Sequence, residues 1–96
     1  MAILVGSQGV TDYEAWLAMG KESMSDPERN GQFGILESHA YRTADGNRVT
    51  VTHTFNTLDE AQKYKAMMDT PESHAMLEQN GGAPPYAFWV AEEITM

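Results

Sequence analysis

The chain contains no cysteine and few basic side chains. Without cysteine there can be no disulfide, no thiolate-held zinc or iron–sulfur cluster and no cysteine nucleophile. Six Lys and Arg against fourteen Asp and Glu give a formal net charge of −8, which argues against a nucleic-acid backbone or an anionic membrane surface as partner. No run approaches the ~18 apolar residues of a membrane span, and no basic residue precedes the short apolar run Ala2–Val5, as a signal peptide would require. We therefore expect a cytoplasmic protein.

The chain has the length and composition of one small globular domain spanning residues 1–96, with 42% hydrophobic residues. Capping boxes at Thr11–Glu14 and Thr57–Glu60 indicate two helices, and Asp45-Gly46 between two β-rich runs indicates a hairpin. The predicted elements are a strand at Ala2–Val5, a helix at about 12–24, a loop around Asn30-Gly31, strands at Phe33–Tyr41 and Val49–Phe55, a helix from Thr57, a short helix from Thr70 and a strand at Tyr86–Ile94. This β-α-β-β-α-β order predicts an α+β, ferredoxin-like antiparallel sheet with helices on one face.

The first and last predicted strands are apolar on both sides. Leu4 alternates with Ile3 and Val5, and Trp89 lies between Phe88 and Val90. Two helices cover only one face of a four-stranded sheet, so the other face would expose a large apolar surface. Such a surface is typical of an association site, and we expect a homodimer that packs sheet against sheet.

The stretch Val49–Leu77, VTVTHTFNTLDEAQKYKAMMDTPESHAML, resembles the antibiotic biosynthesis monooxygenase family of the dimeric α+β barrel superfamily. Tyr13, Trp16 and Gly34 also fall where that family places aromatic residues and a glycine. The resemblance implies a dimeric α+β barrel and a small cofactor-independent monooxygenase acting on an aromatic or polyketide-type substrate. His74 matches the histidine of a Pro-x-x-His segment that ligates haem iron in haem-degrading relatives.

The hairpin carries the candidate catalytic residues. A three-residue loop Ala44–Gly46 pairs His39 with Val51 and Glu37 with His53, and it places both histidines and Tyr41 on one sheet face. A two-residue Asp-Gly turn would instead put His39 and His53 on opposite faces. We favour the first register because it separates large from small side chains.

On that register a pocket between sheet and helices would contain His39 or His53 as general base and Tyr41 as a hydrogen-bonding group. Glu37 would orient a histidine ring. The predicted substrate-binding residues are Tyr13, Trp16, Glu37, Phe55 and His74. The alternative is that both histidines are half-exposed hairpin residues and that the aromatic residues are ordinary core.

We expect a small aromatic or hydrophobic molecule as the ligand, and no cofactor or metal. Two metal sites remain as alternatives: haem at His74, and iron held by His39, His53 and Glu37. Two other functions also remain open. One is a polyketide cyclase or isomerase that uses the same pocket for proton transfer, and the other is a non-catalytic dimeric binding or accessory protein.

Overall fold

The computed structural model describes all 96 residues. Its elements in chain order are β1 (Ala2–Val10), α1 (Tyr13–Met24), α2 (Pro27–Phe33), β2 (Glu37–Arg42), β3 (Arg48–Phe55), α3 (Leu58–Met68), α4 (Pro71–Gln79) and β4 (Gly82–Glu92). The strands form one sheet in the order β2-β3-β1-β4, and every neighbouring pair is antiparallel. This arrangement confirms the predicted ferredoxin-like fold. None of the helices is long and apolar enough to cross a membrane.

The two main helices begin with side-chain caps. Thr57 caps α3 as predicted, because its hydroxyl accepts a hydrogen bond from the backbone N–H of Glu60 at 3.2 Å. Asp12, and not Thr11, caps α1 by accepting from the backbone N–H of Ala15 at 3.1 Å. Thr11 instead lies one residue before the cap, where its backbone N–H and hydroxyl both donate to the carbonyl oxygen of Gly81. The predicted cap of α1 was therefore wrong by one residue.

The helix α2 occupies a segment for which the sequence predicted a loop and the start of a strand. Asp26 caps it by accepting from the backbone N–H groups of Glu28 and Arg29, and Pro27 stands at its first position. Gly34 ends it in the left-handed conformation, with φ of 77°, where glycine is favoured. Strand β2 consequently begins at Glu37 and not at Phe33.

The β2–β3 hairpin differs from the favoured register by one residue. The backbone N–H of Thr43 donates to the carbonyl of Arg48 at 3.0 Å, so the loop comprises the four residues 44–47. Within it the Asp45 carboxylate accepts from the Thr43 hydroxyl and from the backbone N–H of Asn47. Ser38 lies opposite His53, and His39 lies opposite Thr52. A shift of one residue turns every side chain of β2 to the other face of the sheet.

The hydrophobic core lies between one end of the sheet and α3. It comprises Ala2, Leu4, Ile35, Phe55, Ala61 and Tyr64. These side chains fill the space over the first residues of β1. Farther along the same strand, glycine and glutamine replace the apolar residues at positions 6 and 8 on the inner face. The core therefore ends where the candidate site begins.

The outer face of the sheet has no helix over it. Strand β1 and the edge strand β4 present Ile3, Val5, Ala87, Trp89 and Ala91 on the side opposite the core. Trp89 is 47% exposed, which is unusual for the largest apolar side chain. The part of this face on β1 and β4 is the apolar surface that the alternation in the first and last strands predicted, whereas β2 and β3 present Glu37, His39 and threonines on the same side.

Candidate functional site

A cavity of about 110 Å³ lies between the inner face of the sheet and the helices. Its polar or ionisable lining residues are Gln8, Ser23, Arg29, His53 and Tyr64. Its larger apolar lining residues are Trp16, Met19, Met24, Met68, Met76 and Phe88. An apolar cavity with a few convergent polar groups is the common form of a small-molecule site, and the flexible methionines allow its walls to adapt.

His53 projects from β3 into this cavity. Its Nδ1 atom lies 2.6 Å from the Ser38 hydroxyl, and its ring packs edge-on against Tyr64, with centroids 5.4 Å apart. Burial, and to a lesser extent the positive charge of Arg29, lower the pKa of His53 from 6.5 to about 4. The imidazole is therefore neutral at pH 7, and Nε2 makes no hydrogen bond within the chain.

Arg29 brings a positive charge to the same cavity. It projects from α2, and its Nη2 donates to the Tyr64 hydroxyl at 2.6 Å. Its guanidinium also lies 5.5 Å from the ring centroid of Phe33 and 5.7 Å from that of Tyr64. Arg29 is the only lysine, arginine or carboxylate side chain that lines the cavity. In a chain with a net charge of −8, the cavity therefore carries a local positive charge.

Gln8 lies at the far end of the cavity floor. Only 8% of this residue is exposed, and it is the one polar residue of the buried set. Its Oε1 atom is buried and has no hydrogen-bond partner. Buried polar atoms are nearly always paired, so this amide is an exception in the interior.

The predicted grouping of four polar residues does not form. Glu37, His39 and Tyr41 lie on the outer face of the sheet, whereas His53 lies on the inner face. His39 makes an exposed ion pair with Glu37, with Nε2 and Oε1 3.0 Å apart. The hairpin register is the physical reason, because the four-residue loop reverses the face of β2. The same geometry removes the iron alternative that needed Glu37, His39 and His53 together.

The predicted wall residues are dispersed. Trp16 is 4% exposed and lines the cavity. Tyr13 does not line it; its ring stacks against Trp16 and lies under the guanidinium of Arg42, 3.7 Å away. Phe55 is completely buried in the core and does not reach the cavity.

His74 is also outside the cavity lining. Its Nε2 atom lies 3.0 Å from an oxygen of Asp69, and its ring stacks on Tyr86, with centroids 4.7 Å apart. The structure therefore does not bring His74 together with His53 and the other residues that line the cavity.

Sequence reasoning missed Gln8, Ser38, Arg29 and Tyr64 as site residues. Arg29 lies on α2, a helix that the sequence analysis does not predict, although Asp26 and Pro27 begin α2 in the same way as Thr70 and Pro71 begin α4. Tyr64 lies on α3, a helix to which the sequence analysis assigns no site residue. The inward direction of Ser38 followed from the register that was not favoured.

Comparison with protein-family models and with curated protein sequences gives no match. Comparison with solved structures finds proteins of the same fold. A dimeric ferredoxin-like protein from an uncultured marine organism is 10% identical, with a TM-score of 0.68 over 100% of this chain and 97% of that one. A Deinococcus radiodurans protein classed as an antibiotic biosynthesis monooxygenase is 9% identical, with a TM-score of 0.62 over 100% and 95%.

A variant of SnoaB, a cofactor-independent oxygenase from Streptomyces nogalater, is 14% identical, with a TM-score of 0.60 over 99% of this chain and 94% of that one. Identities this low carry information about the fold and not about the chemistry. The resemblance inferred from the sequence is thus confirmed at the level of architecture. The chain has the fold shared by dimeric ferredoxin-like proteins and antibiotic biosynthesis monooxygenases.

Proposed function

We propose that the protein is a small cofactor-independent monooxygenase that acts on an aromatic or polyketide-type substrate in the cavity between sheet and helices. One observation carries this proposal: a neutral imidazole and an arginine cation line the same apolar cavity. That pair can take a proton from a weakly acidic carbon or hydroxyl and stabilise the anion that results. Of the two histidines predicted as base, His53 takes the role.

His53 is the proton acceptor in this proposal. The Ser38 hydroxyl engages Nδ1, which leaves Nε2 for the substrate and fixes the orientation of the ring. A pKa of about 4 makes the imidazole a weak base by itself. When an enolate or phenolate forms beside it, the opposite charge favours the imidazolium and raises its proton affinity.

Arg29 stabilises the developing anion. One of its N–H groups is committed to the Tyr64 hydroxyl, and guanidinium has five in all. A cation fixed inside an apolar site acts more strongly on an oxyanion than a cation in water does. The Tyr64 hydroxyl remains a donor, because the arginine uses it only as an acceptor.

Oxygen then reacts with the substrate carbanion. The carbon loses a proton to His53, molecular oxygen adds at that carbon to form a C–O bond, and cleavage of the O–O bond with loss of water leaves a new carbonyl. A ring CH₂ group and O₂ thus become C=O and H₂O. The carbon supplies four electrons, so the balance needs no external reductant and no cofactor.

The outer sheet face supports a homodimer as part of the same proposal. Trp89 is exposed there beside Ile3 and Val5, without any covering helix. A second copy that packs its own outer face against this surface would bury it and close a barrel. Self-association also adds stability to a chain whose own buried core is small.

The test uses two ketones with an acidic ring CH₂ group, β-tetralone and the larger anthrone. The proposal predicts oxygen uptake equal to the product carbonyl formed, with loss of uptake in His53→Gln. Deuterium exchange at the CH₂ group without oxygen uptake would instead support an isomerase or cyclase. Binding without either reaction would support a non-catalytic binding protein, and both of these outcomes contradict the monooxygenase.

A further inference from the structure

The outer sheet face carries opposite charges at its two ends. Arg48 lies on β3 beside the β2–β3 loop, and it is the only Lys or Arg side chain that the four strands place on this face. Glu37 lies at the other end of the face, opposite Thr54, and it lines a shallow depression there with Glu92 and Glu93. We call these two regions the hairpin end and the acidic end. A second copy matches these charges only if the hairpin end of one sheet lies over the acidic end of the other.

Both charged side chains have free hydrogen-bonding groups. Nη2 of Arg48 donates to Ser7 Oγ at 3.0 Å and to the backbone carbonyl of Pro85 at 3.3 Å. These bonds hold the guanidinium on the outer face and leave the N–H groups of Nε and Nη1 free. The Glu37 side chain is 64% exposed, and its Oε1 atom lies 3.0 Å from Nε2 of His39. Its Oε2 atom can accept from an arginine of another chain.

Large and small side chains are also separated along the apolar part of this face. Val5 and Trp89 form one row across β1 and β4, and Ser7 and Ala87 form the next row toward the hairpin end. Trp89 is 47% exposed, and the small side chains of the next row leave room for a bulky one from a partner. Sheets that pack face to face interdigitate the side chains of the faces in contact. The row with Trp89 of one copy therefore fits over the row with Ala87 of another.

Two orientations of a two-fold axis keep the strands of two facing sheets aligned. An axis along the strands puts acidic end on acidic end and lays β4 over the partner's β2, so that Trp89 meets the row of His39. An axis across the strands exchanges the ends and lays each strand over its own counterpart. It brings the row of Trp89 over the row of Ala87, and it brings Arg48 of β3 beside Glu37 of the neighbouring strand β2.

We infer that the two copies adopt the second orientation, with an ion pair between Arg48 of one copy and Glu37 of the other at each of two symmetric positions. This inference rests on the homodimer of the proposed function and goes beyond it, because it assigns the contacts that orient the second copy. The apolar halves of the two faces then pack against each other. Charged pairs at the side of an apolar patch fix the register of the two surfaces and suppress the wrong orientation.

The experiment reverses the two charges separately and then mixes the variants. Arg48→Glu and Glu37→Arg each place like charges together at both symmetric positions, and each should raise the dimer dissociation constant in sedimentation by about 10- to 100-fold. An equimolar mixture of the two variants should dimerise with nearly the parent affinity, because each contact between the unlike copies again joins opposite charges. Lys63→Glu is the matched control, since it makes the same charge change on the exposed surface of α3, and it should leave the dissociation constant unchanged.

The mixture separates a contact between copies from an effect within one chain. Loss of the bonds from Arg48 to Ser7 and Pro85 destabilises only the chain that carries the change, and a second chain cannot restore them. The dimer returns in the mixture only if Arg48 and Glu37 meet across the interface. Single variants that dimerise like the parent, or a mixture of folded variants without any gain of dimer, would overturn the inference.

Glu37→Arg by itself also distinguishes the two orientations. With the ends exchanged it opposes Arg48 and weakens the dimer, whereas with acidic end on acidic end it relieves a repulsion and tightens the dimer. The Glu37 side chain is exposed and pairs only with His39, so this variant gives a result even if Arg48→Glu does not fold. A tighter or unchanged dimer of Glu37→Arg would contradict the inferred orientation.

The outcomes for this inference and for the proposed function are distinguishable. A dimer that is lost in Trp89→Glu but unaffected by both charge reversals keeps the homodimer and removes this inference. A parent that sediments only as a monomer of 10.6 kDa removes the homodimer and this inference together, and the oxygen-uptake test of His53 is independent of it. A dimer that depends on both charges, in a protein without oxygen uptake on β-tetralone, keeps the inference and removes the monooxygenase.

Discussion

The burial of His53 should make the stability of the protein depend on pH, and His53→Gln should remove most of that dependence. The folded protein holds the pKa of His53 at about 4, against 6.5 for the free side chain. Between these values the unfolded chain binds more protons than the folded one. The free energy of unfolding therefore falls as the pH falls from about 6.5 to about 4, and the contribution is fully present above that window.

The two pKa values set the size of the effect. Each pKa unit corresponds to about 1.4 kcal/mol, so the full loss is about 3 kcal/mol at low pH. Between pH 7 and pH 5 the linkage relation gives about 2 kcal/mol. For a domain of this size that is about 8–16 °C in melting temperature, which is well above the error of a melting curve.

Urea unfolding of parent and variants at pH 7 and pH 5 measures the effect. The parent should lose about 2 kcal/mol through His53, and His53→Gln should lose correspondingly less. His39→Gln is the matched control, since His39 lies on the opposite face of the sheet from the cavity, with Nε2 3.0 Å from Glu37 Oε1, and it should keep the pH dependence that His53 gives the parent. Equal pH dependence in the parent and in His53→Gln would refute the reasoning, because His53 would then not be buried as a neutral group.

Three further changes test other parts of the structure. Trp16→Ala should destabilise the protein by about 3–5 kcal/mol through lost burial and a cavity, and a melting temperature within a degree of the parent would contradict the packing of α1 on the sheet. Arg29→Gln should weaken the binding of naphthalene-2-carboxylate by about 10- to 100-fold, the value of a charged hydrogen bond. The binding of the uncharged β-naphthol should weaken much less. An equal loss of affinity for both ligands would contradict the role of Arg29 as the cation that binds the anion. Trp89→Glu should convert the proposed homodimer to a monomer of 10.6 kDa in sedimentation, and a dimer that persists in this variant would contradict the outer face as the interface.

The element order could be predicted because its signals are local. The Thr57–Glu60 capping box and the Pro71 that opens α4 act within one helical turn, and both helices begin as predicted. Asp26-Pro27 carries the same kind of signal for α2. The sequence nevertheless predicts a loop around Asn30-Gly31, because the seven residues of α2 form no apolar stripe.

The candidate site was only partly predictable because it depends on the length of the β2–β3 loop. An odd or an even number of loop residues turns the side chains of β2 to opposite faces of the sheet. Asp45-Gly46 located the hairpin, but loops of two, three or four residues fit the same dipeptide. The hydrogen bonds of the Asp45 side chain close the four-residue form. That choice puts His39 on the outer face and His53 in the cavity. Gln8 of β1 and Arg29 of α2 line the same cavity as His53 only because these elements pack together in the folded chain. No local sequence pattern predicts that packing.

The most direct test of the proposed chemistry is the rate of deuterium exchange at the ring CH₂ group of β-tetralone, because it measures proton abstraction alone. The proposal predicts that His53→Gln slows the protein-catalysed exchange by about 10²–10⁴-fold, the usual contribution of a general base. His39→Gln should exchange at the parent rate. Exchange that persists in His53→Gln, or that is lost in His39→Gln, would contradict the assignment of His53 as the base of this cavity.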